Sequence, residues 1–252
     1  MRLLTLARDL RRRRGRERQG LFVCEGVRAV EELLGSSLQP RGALVAPALE
    51  ETPRGKALVH ALEDADVEVA RITDAELASA SDTESPQGVL AIARVPERIM
   101  DDLETGERAL ILVLDALQDP GNVGTILRSA AALGVDATLA LPGTVDLWNA
   151  KVVRSAMGAH FHHPTLSCTW DELDAFRRQR GLALWGADAA GDVVGAIPAP
   201  ARLALVVGNE GGGLGAEARA RADRLVALPI SADVESLNVA VAAGILLYVL
   251  RR

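Results

Sequence analysis

The sequence predicts an α/β chain in two units, and three observations carry that prediction. Short apolar runs alternate with helix-period segments over residues 21–95 and again over 110–250. Between them, residues 96–107 are mostly charged and lack apolar periodicity, which marks a linker. The runs at 110–114 and 203–207 are uninterrupted apolar stretches, the pattern of strands buried on both faces of a parallel sheet. The expected division is therefore 1–95, a linker at 96–107, and 108–252.

The first unit opens with residues 1–18, whose RDLRRRRGRER stretch reads as part of one basic helix broken at Gln19-Gly20. A strand at 21–24, a helix at 26–34 and a strand at 42–46 follow. A helix at 53–63, opened by Pro53, precedes a strand at 67–72. A short helix at 74–80 runs into the turn-rich SDTESPQG, and a strand at 89–95 closes the unit.

In the second unit, the strand at 110–114 meets the turn Gln118-Asp119-Pro120-Gly121. A helix at 122–133 follows, and Gly134 stops it. Next come a strand at 137–141, a helix at 149–157, a helix at 170–180 ended by Gly181, and a strand at 182–186. The strand at 203–207 ends in GNEGGGLG. The strand at 225–230 ends in a polar loop, 231–235, which feeds an apolar helix at 237–250. That helix is too short to span a membrane, and no run reaches the roughly 18 apolar residues required.

Composition narrows the function. Apolar residues make up 49% of the chain but aromatics only 3%, so Leu, Val and Ala must fill the core. Two cysteines, Cys24 and Cys168, form no disulfide framework and suit a reducing cytoplasm. The Arg-rich start has no apolar stretch behind it, so no signal peptide is expected. The net charge of −6 argues against indiscriminate nucleic-acid binding. Local patches decide such contacts, however, and Arg11, Arg12, Arg13, Arg14 and Arg18 form a dense one.

The candidate site lies where strands end, because ligands of open α/β sheets sit outside the carboxyl ends of strands. Gly208 and the glycines after it let backbone approach a ligand, with Glu210 as a candidate buried carboxylate among them. Ser236 and Asn238 stand at the mouth of the last helix, where hydroxyl and amide groups cap free N–H donors. Asn122 begins an earlier helix. Arg128, nearly two turns along it, has apolar or small neighbours, and such an arginine meets a carboxylate or a phosphate.

Several chemistries are excluded. GNEGGGLG lacks the Gly-Lys-Ser/Thr ending of a phosphate loop, and GNVGTI lacks the dinucleotide spacing, which removes a nicotinamide oxidoreductase. His160, His162 and His163 have no carboxylate or cysteine at ligand spacing, so AHFHHP reads as a polar strand edge and no metal is expected. Ser167 and Cys168 have no histidine partner for covalent catalysis.

Together, DPGNVGTILRSAAALG, VVGNEGGGLG and LPISADVESLNVAVAAGILLY closely resemble, in order, the three motifs of the SpoU/TrmH family of RNA ribose 2′-O-methyltransferases. RQGLFVCEGVRAVEELL and SDTESPQGVLAIA resemble that family's accessory domain. The resemblance implies a C-terminal parallel sheet with a trefoil knot, a small ribosomal-protein-like RNA-binding domain in front, and a homodimer. It implies S-adenosylmethionine as cofactor, held by Gly208, Leu228 and Leu237 with Asn209 and Ile230 beside them. Arg128 would meet the ribose hydroxyl and its phosphate; Asn122, Glu210, Ser236 and Asn238 would position it or the substrate. The substrate implied is ribosomal RNA rather than transfer RNA. The alternatives are a transfer-RNA enzyme or an inactive RNA-binding protein of the same fold.

Overall fold

The computed structural model describes residues 3–231 and 233–251. In chain order the first elements are α1 (Leu3–Leu10), α2 (Arg13–Gln19), β1 (Leu21–Glu25), α3 (Val27–Leu34), β2 (Pro40–Val45), α4 (Pro47–Glu50), α5 (Pro53–Asp64), β3 (Val69–Arg71), α6 (Asp74–Ala80) and β4 (Val89–Arg94). After a 3₁₀ turn at Met100–Asp102 come β5 (Ala109–Leu114), α7 (Pro120–Ala132), β6 (Ala137–Ala140), α8 (Ala150–Ala156), α9 (Ala159–His162), β7 (Thr165–Ser167) and α10 (Trp170–Arg180). The chain continues through β8 (Ala183–Val193), β9 (Arg202–Val207), α11 (Ala216–Arg221), β10 (Arg224–Ala227) and α12 (Val239–Leu250). Among these, α4, α9, β7 and α11 carry too few residues for periodicity to reveal them.

Two compact units result, one of residues 1–97 with 148–162, the other of 98–147 with 163–252. The first holds a four-stranded sheet in the order β1-β4-β2-β3. Strand β4 is antiparallel to β1 and β2, and β2 is parallel to β3. Along β1, Leu21 and Val23 face a cluster with Leu6 and Leu10 of α1, while Phe22 and Cys24 face one with Val30, Leu33 and Leu62. The alternation of side chains across a strand thus buries both faces. The Phe22 ring lies 4.5 Å from that of Trp148 and 5.9 Å from that of Phe161, which explains why 148–162 pack here.

The basic N-terminal stretch is not one helix. Arg12 is extended between α1 and α2, and the chain turns back so tightly that a Cβ on Gly15 would lie 2.2 Å from the Asp9 carbonyl oxygen. The buried Arg16 donates from Nη1 to the carbonyls of Leu10 (2.8 Å) and Arg11 (3.0 Å). A cation thus serves the acceptors left open where α1 ends. Met1 and Arg2, which the single-helix expectation included, lie outside the described residues.

The second unit holds a six-stranded sheet in the order β10-β8-β9-β5-β6-β7, every neighbouring pair parallel. All of β5 is buried, as an unbroken apolar strand between two layers must be. From β5 the chain builds outward through β6 and β7, crosses to the other side with β8, and then places β9 between β8 and β5. The order therefore reverses between β5 and β9, in register from Ala109↔Arg202 to Leu114↔Val207.

AHFHHP is not a strand edge. His160 lies in α9 with its ring 4.1 Å from that of Trp148, because Phe161 is drawn into the apolar cluster of the first unit. His163 belongs to the second unit, its Nε2 2.8 Å from Thr138 Oγ1. Among the described residues, no three His, Cys, Asp or Glu residues come together to hold a metal. No helix among them is long and apolar enough to cross a membrane.

Candidate active site

The loop after β5 packs against the loop after β9. Asp119, not Asn122, caps α7: its carboxylate accepts from the Asn122 backbone N–H at 2.8 Å, and Pro120 occupies the first turn. A capping Asp followed by Pro is the better helix start, because the proline needs no N–H partner. Asn122 thus sits inside the first turn with its side chain available for other contacts.

The loop after β9 is closed on itself. Asn209 and Gly213 exchange both backbone hydrogen bonds at 2.9 Å, and Asn209 Oδ1 accepts from the Gly211 and Gly212 N–H groups. A Cβ on Gly208 would fall 2.2 Å from the Gly213 carbonyl carbon, so only glycine permits this closure. Asn209 Nδ2 also donates to the Ala116 carbonyl at 2.8 Å. Asp115, buried at the end of β5, accepts from the Gly215 N–H at 2.8 Å. Sequence reasoning missed Asp115; its position as the first polar residue after a buried strand was the available signal.

Glu210 joins the two loops. Its Oε1 accepts from the Asp119 backbone (3.1 Å) and from Asn122 Nδ2 (3.2 Å), and its Oε2 from the Gln118 backbone (3.4 Å) and Asn209 Nδ2 (3.3 Å). Partial burial alone would raise its pKa. Its backbone hydrogen bond, the Asn122 amide and the Asp119 and Gln118 N–H groups outweigh that and lower it below the usual carboxylate value. Glu210 is solvent-exposed rather than buried as expected, since the glycine loop lifts it clear of the sheet.

The third segment meets the first through an amide pair. Asn238, not Ser236, caps α12, with Oδ1 accepting from the Ala240 and Val241 N–H groups. Its Nδ2 donates to Asn122 Oδ1 at 3.0 Å. Asn238, Asn122 and Glu210 therefore form one continuous hydrogen-bonded chain.

Beside that chain lies a recess of about 330 Å³. Of the residues predicted for cofactor binding, Gly208, Asn209, Leu228, Ile230 and Leu237 all line it, as do Glu210 and Ser236. Asn122 and Asn238 do not, and connect to it through Glu210. Arg128 does not line it either: it is exposed on α7, six residues beyond Asn122, or about 9 Å along the helix axis. Asp188, which sequence reasoning did not single out, lines the recess and pairs with Arg219. It sits midway along β8, beyond where the apolar run ended. The expected loop at 231–235 includes Ala232, which lies outside the described residues.

The basic residues predicted to touch RNA lie in the first unit. Arg11 pairs with Asp82 at 3.0 Å, Arg13 with Glu17 at 2.7 Å and Arg18 with Asp9 at 2.7 Å, while Arg12 and Arg14 are exposed. The positive charge there is thus partly met by carboxylates from the same unit.

The recess fits S-adenosylmethionine on its own chemistry. Its volume is that of a small-molecule site. Its walls offer loop backbone beside Val207, Leu228, Ile230 and Leu246, and carboxylates at Asp188 and Glu210, suited to a cationic, nucleoside-bearing ligand.

Comparison with known proteins agrees. Residues 109–248 match the SpoU rRNA Methylase family, and residues 5–91 match the MRM3-like substrate binding domain. The chain is 36% identical over 249 residues to 23S rRNA (guanosine(2553)-2'-O)-methyltransferase RlmP of Bacillus subtilis, covering 97% of this chain and 94% of that one. It is 30% identical over 231 residues to 23S rRNA (guanosine-2'-O-)-methyltransferase RlmB of Salmonella typhimurium, covering 88% and 95%. The crystal structure of the SpoU methyltransferase AviRb from Streptomyces viridochromogenes in complex with AdoMet superposes with a TM-score of 0.89 at 27% identity, covering 100% and 97%. With the motif-bearing half matched throughout and relatives aligned along nearly their whole length, the chain belongs to the SpoU rRNA methylase family.

Proposed function

We propose that the protein transfers a methyl group from S-adenosylmethionine to a ribose 2′-hydroxyl of ribosomal RNA. The observation that carries this reading is the Glu210–Asn122–Asn238 chain beside the backbone-lined recess. The names of RlmP and RlmB support ribosomal RNA over transfer RNA.

Gly208, Asn209, Leu228, Ile230 and Leu237 would hold the cofactor, with the segment around them threaded as a knot. When bound, the cofactor supplies an electrophilic methyl group on a cationic sulfur, so the remaining difficulty is a weakly acidic hydroxyl. Arg128 orients that hydroxyl and stabilises charge growing on its oxygen; a guanidinium stays protonated and is a poor base. Asn122, Glu210 and Asn238 hold the loops that frame the nucleotide, and Ser236 fixes the loop leading into α12. Such alignment contributes on the order of 7–11 kcal/mol in favourable cases.

Arg128 reaches a recess only across a homodimer in this reading. Val241, Ile245 and Tyr248 are 52%, 42% and 47% exposed, and their spacing puts them on one stripe of α12. Gly244 on that helix lies against Ser129 of α7, the residue that follows Arg128. A second copy docked on the stripe would bury it and bring its own Arg128 toward this recess. Arg12, Arg14 and their neighbours in the first unit would contact RNA phosphates. The activity belongs in the cytoplasm.

The test is methyl transfer from labelled cofactor to deproteinised ribosomal RNA and to transfer RNA, with the product mapped by resistance of 2′-O-methylated linkages to alkali. Label in ribosomal RNA alone is expected. Label in transfer RNA alone overturns the substrate class, and label in neither overturns the enzyme reading.

A further inference from the structure

The first unit contains a polar recess of about 210 Å³ that the methyl-transfer reading leaves unused. It is lined by the end of β1, the start of α3, the SDTESPQG loop and the end of α8, through Glu25, Arg28, Thr83, Ser85, Arg154 and Met157. Glu25 is buried, 3% exposed. Its Oε2 accepts from the Asp82 N–H at 3.3 Å, and its Oε1 has no hydrogen-bond partner among the described residues. Arg154 approaches Oε2 at 3.6 Å, too far for a hydrogen bond, and its Nη1 is also buried without one.

A buried ion pair with unused hydrogen-bonding capacity on both partners is costly unless something completes it. The ligand that would complete this one is constrained. A bare anion is repelled by Glu25, and a bare cation by Arg28 and Arg154. A group with paired N–H donors at one end and an anion at the other satisfies both. Among the bases, guanine alone presents two adjacent donors on its Watson–Crick edge, N1–H and N2–H; adenine and cytosine set an acceptor beside their amino group, and uracil flanks one N–H with two carbonyls.

Resting on the RNA reading above, we propose that this recess binds the guanine of an unpaired nucleotide during RNA capture, Glu25 accepting from N1–H and N2–H and Arg28 and Arg154 meeting the phosphate. Arg154 turns from the carboxylate to the phosphate as the base enters. Met157 supplies an apolar, polarisable wall for the base face. It is held at φ +50°, a left-handed conformation rarely taken by a side chain of this kind, and Gly158 follows at φ +87°. The end of α8 is thus bent sharply where Met157 borders the recess. Gln87, also at the recess, is occupied in accepting from the Val27 N–H at 3.1 Å.

The test uses full-length protein and fluorescence anisotropy with eight-nucleotide unpaired RNAs that differ at one central base. Guanine is expected to bind at least about tenfold tighter than adenine, with inosine between them and 1-methylguanine, which lacks the N1–H, no better than adenine. Glu25→Gln removes the preference for guanine. Arg28→Ala weakens all the RNAs alike and lowers the salt dependence by about one unit. Both variants keep the thermal shift caused by S-adenosylmethionine, whose proposed site is in the other unit. Equal binding of guanine and adenine, or a preference that survives Glu25→Gln, overturns the recess while leaving methyl transfer intact. Failure of every RNA to bind overturns the RNA reading and the recess with it. If Glu25→Gln does not fold, the base-analogue series on the unaltered protein still tests the preference for the guanine edge, and equal binding of guanine and adenine overturns it.

Discussion

Glu210 Oε1 accepts a hydrogen bond from Asn122 Nδ2 at 3.2 Å, although 88 residues separate them in the chain. That bond, with those from the Gln118 and Asp119 backbone, ties the loop after β9 to the loop after β5.

Glu210→Gln is expected to lower kcat/KM for methyl transfer by roughly 10–100-fold, the equivalent of one or two hydrogen bonds to a charged group. An amide leaves one oxygen to accept from donors that now meet two. The lowered carboxyl pKa adds a pH dependence: stabilisation from the ionised form is present above the unfolded value near 4.5 and is lost as pH falls below it. Steady-state kinetics with a cofactor-binding measurement check this, and unchanged kcat/KM would exclude Glu210 from the site.

Arg128→Ala is expected to abolish most methylation while cofactor binding persists, because Arg128 lies outside the recess. Tyr248→Glu, placed in the exposed stripe of α12, should convert a dimer to a monomer in analytical ultracentrifugation and lose activity in parallel. A monomeric unaltered protein with full activity would refute the shared-site arrangement.

Arg16→Ala should destabilise the first unit by about 2–3 kcal/mol, since it removes a buried cation that serves two carbonyls. Arg14→Ala, at an exposed position, should change stability by less than about 0.5 kcal/mol. Urea unfolding of the two variants distinguishes them.

His163 makes stability depend on pH. Burial, aided by the charge of Arg98, pushes its pKa down to about 4 from 6.5. Between those values the unfolded chain holds a proton that the native imidazole does not. Stability is therefore complete above about pH 6.5, falls as pH drops toward 4, and falls no further below it. The expected loss is about 2 kcal/mol between pH 7 and pH 5. His163→Gln should flatten that slope in denaturant titrations; a slope unchanged by the substitution would assign the effect elsewhere.

Much of the fold was legible because it is local. The apolar run ending at Leu114 and the glycine after α10 each act within a few residues. The chemistry of a strand, a turn or a cap is complete at that range. The glycine loop was legible for the same reason: only glycine at Gly208 allows the close return of Gly213. The helix caps were less so. Asn122 and Ser236 are plausible caps by residue type, but Asp119 and Asn238 take those positions, leaving Asn122's side chain to reach Glu210.

By itself the sequence determined the alternation of strands and helices, the glycine-rich loop at the end of a buried strand, and the three motifs that mark the family. Only the tertiary structure decided which loops face each other, that residues 148–162 pack around Phe22, and that Arg16 is buried while Arg11, Arg12, Arg13, Arg14 and Arg18 are exposed. The physical reason is range. A turn or cap is satisfied by its own neighbours, whereas Glu210 meets Asn122 only because β9 pairs with β5, and no local pattern encodes that pairing.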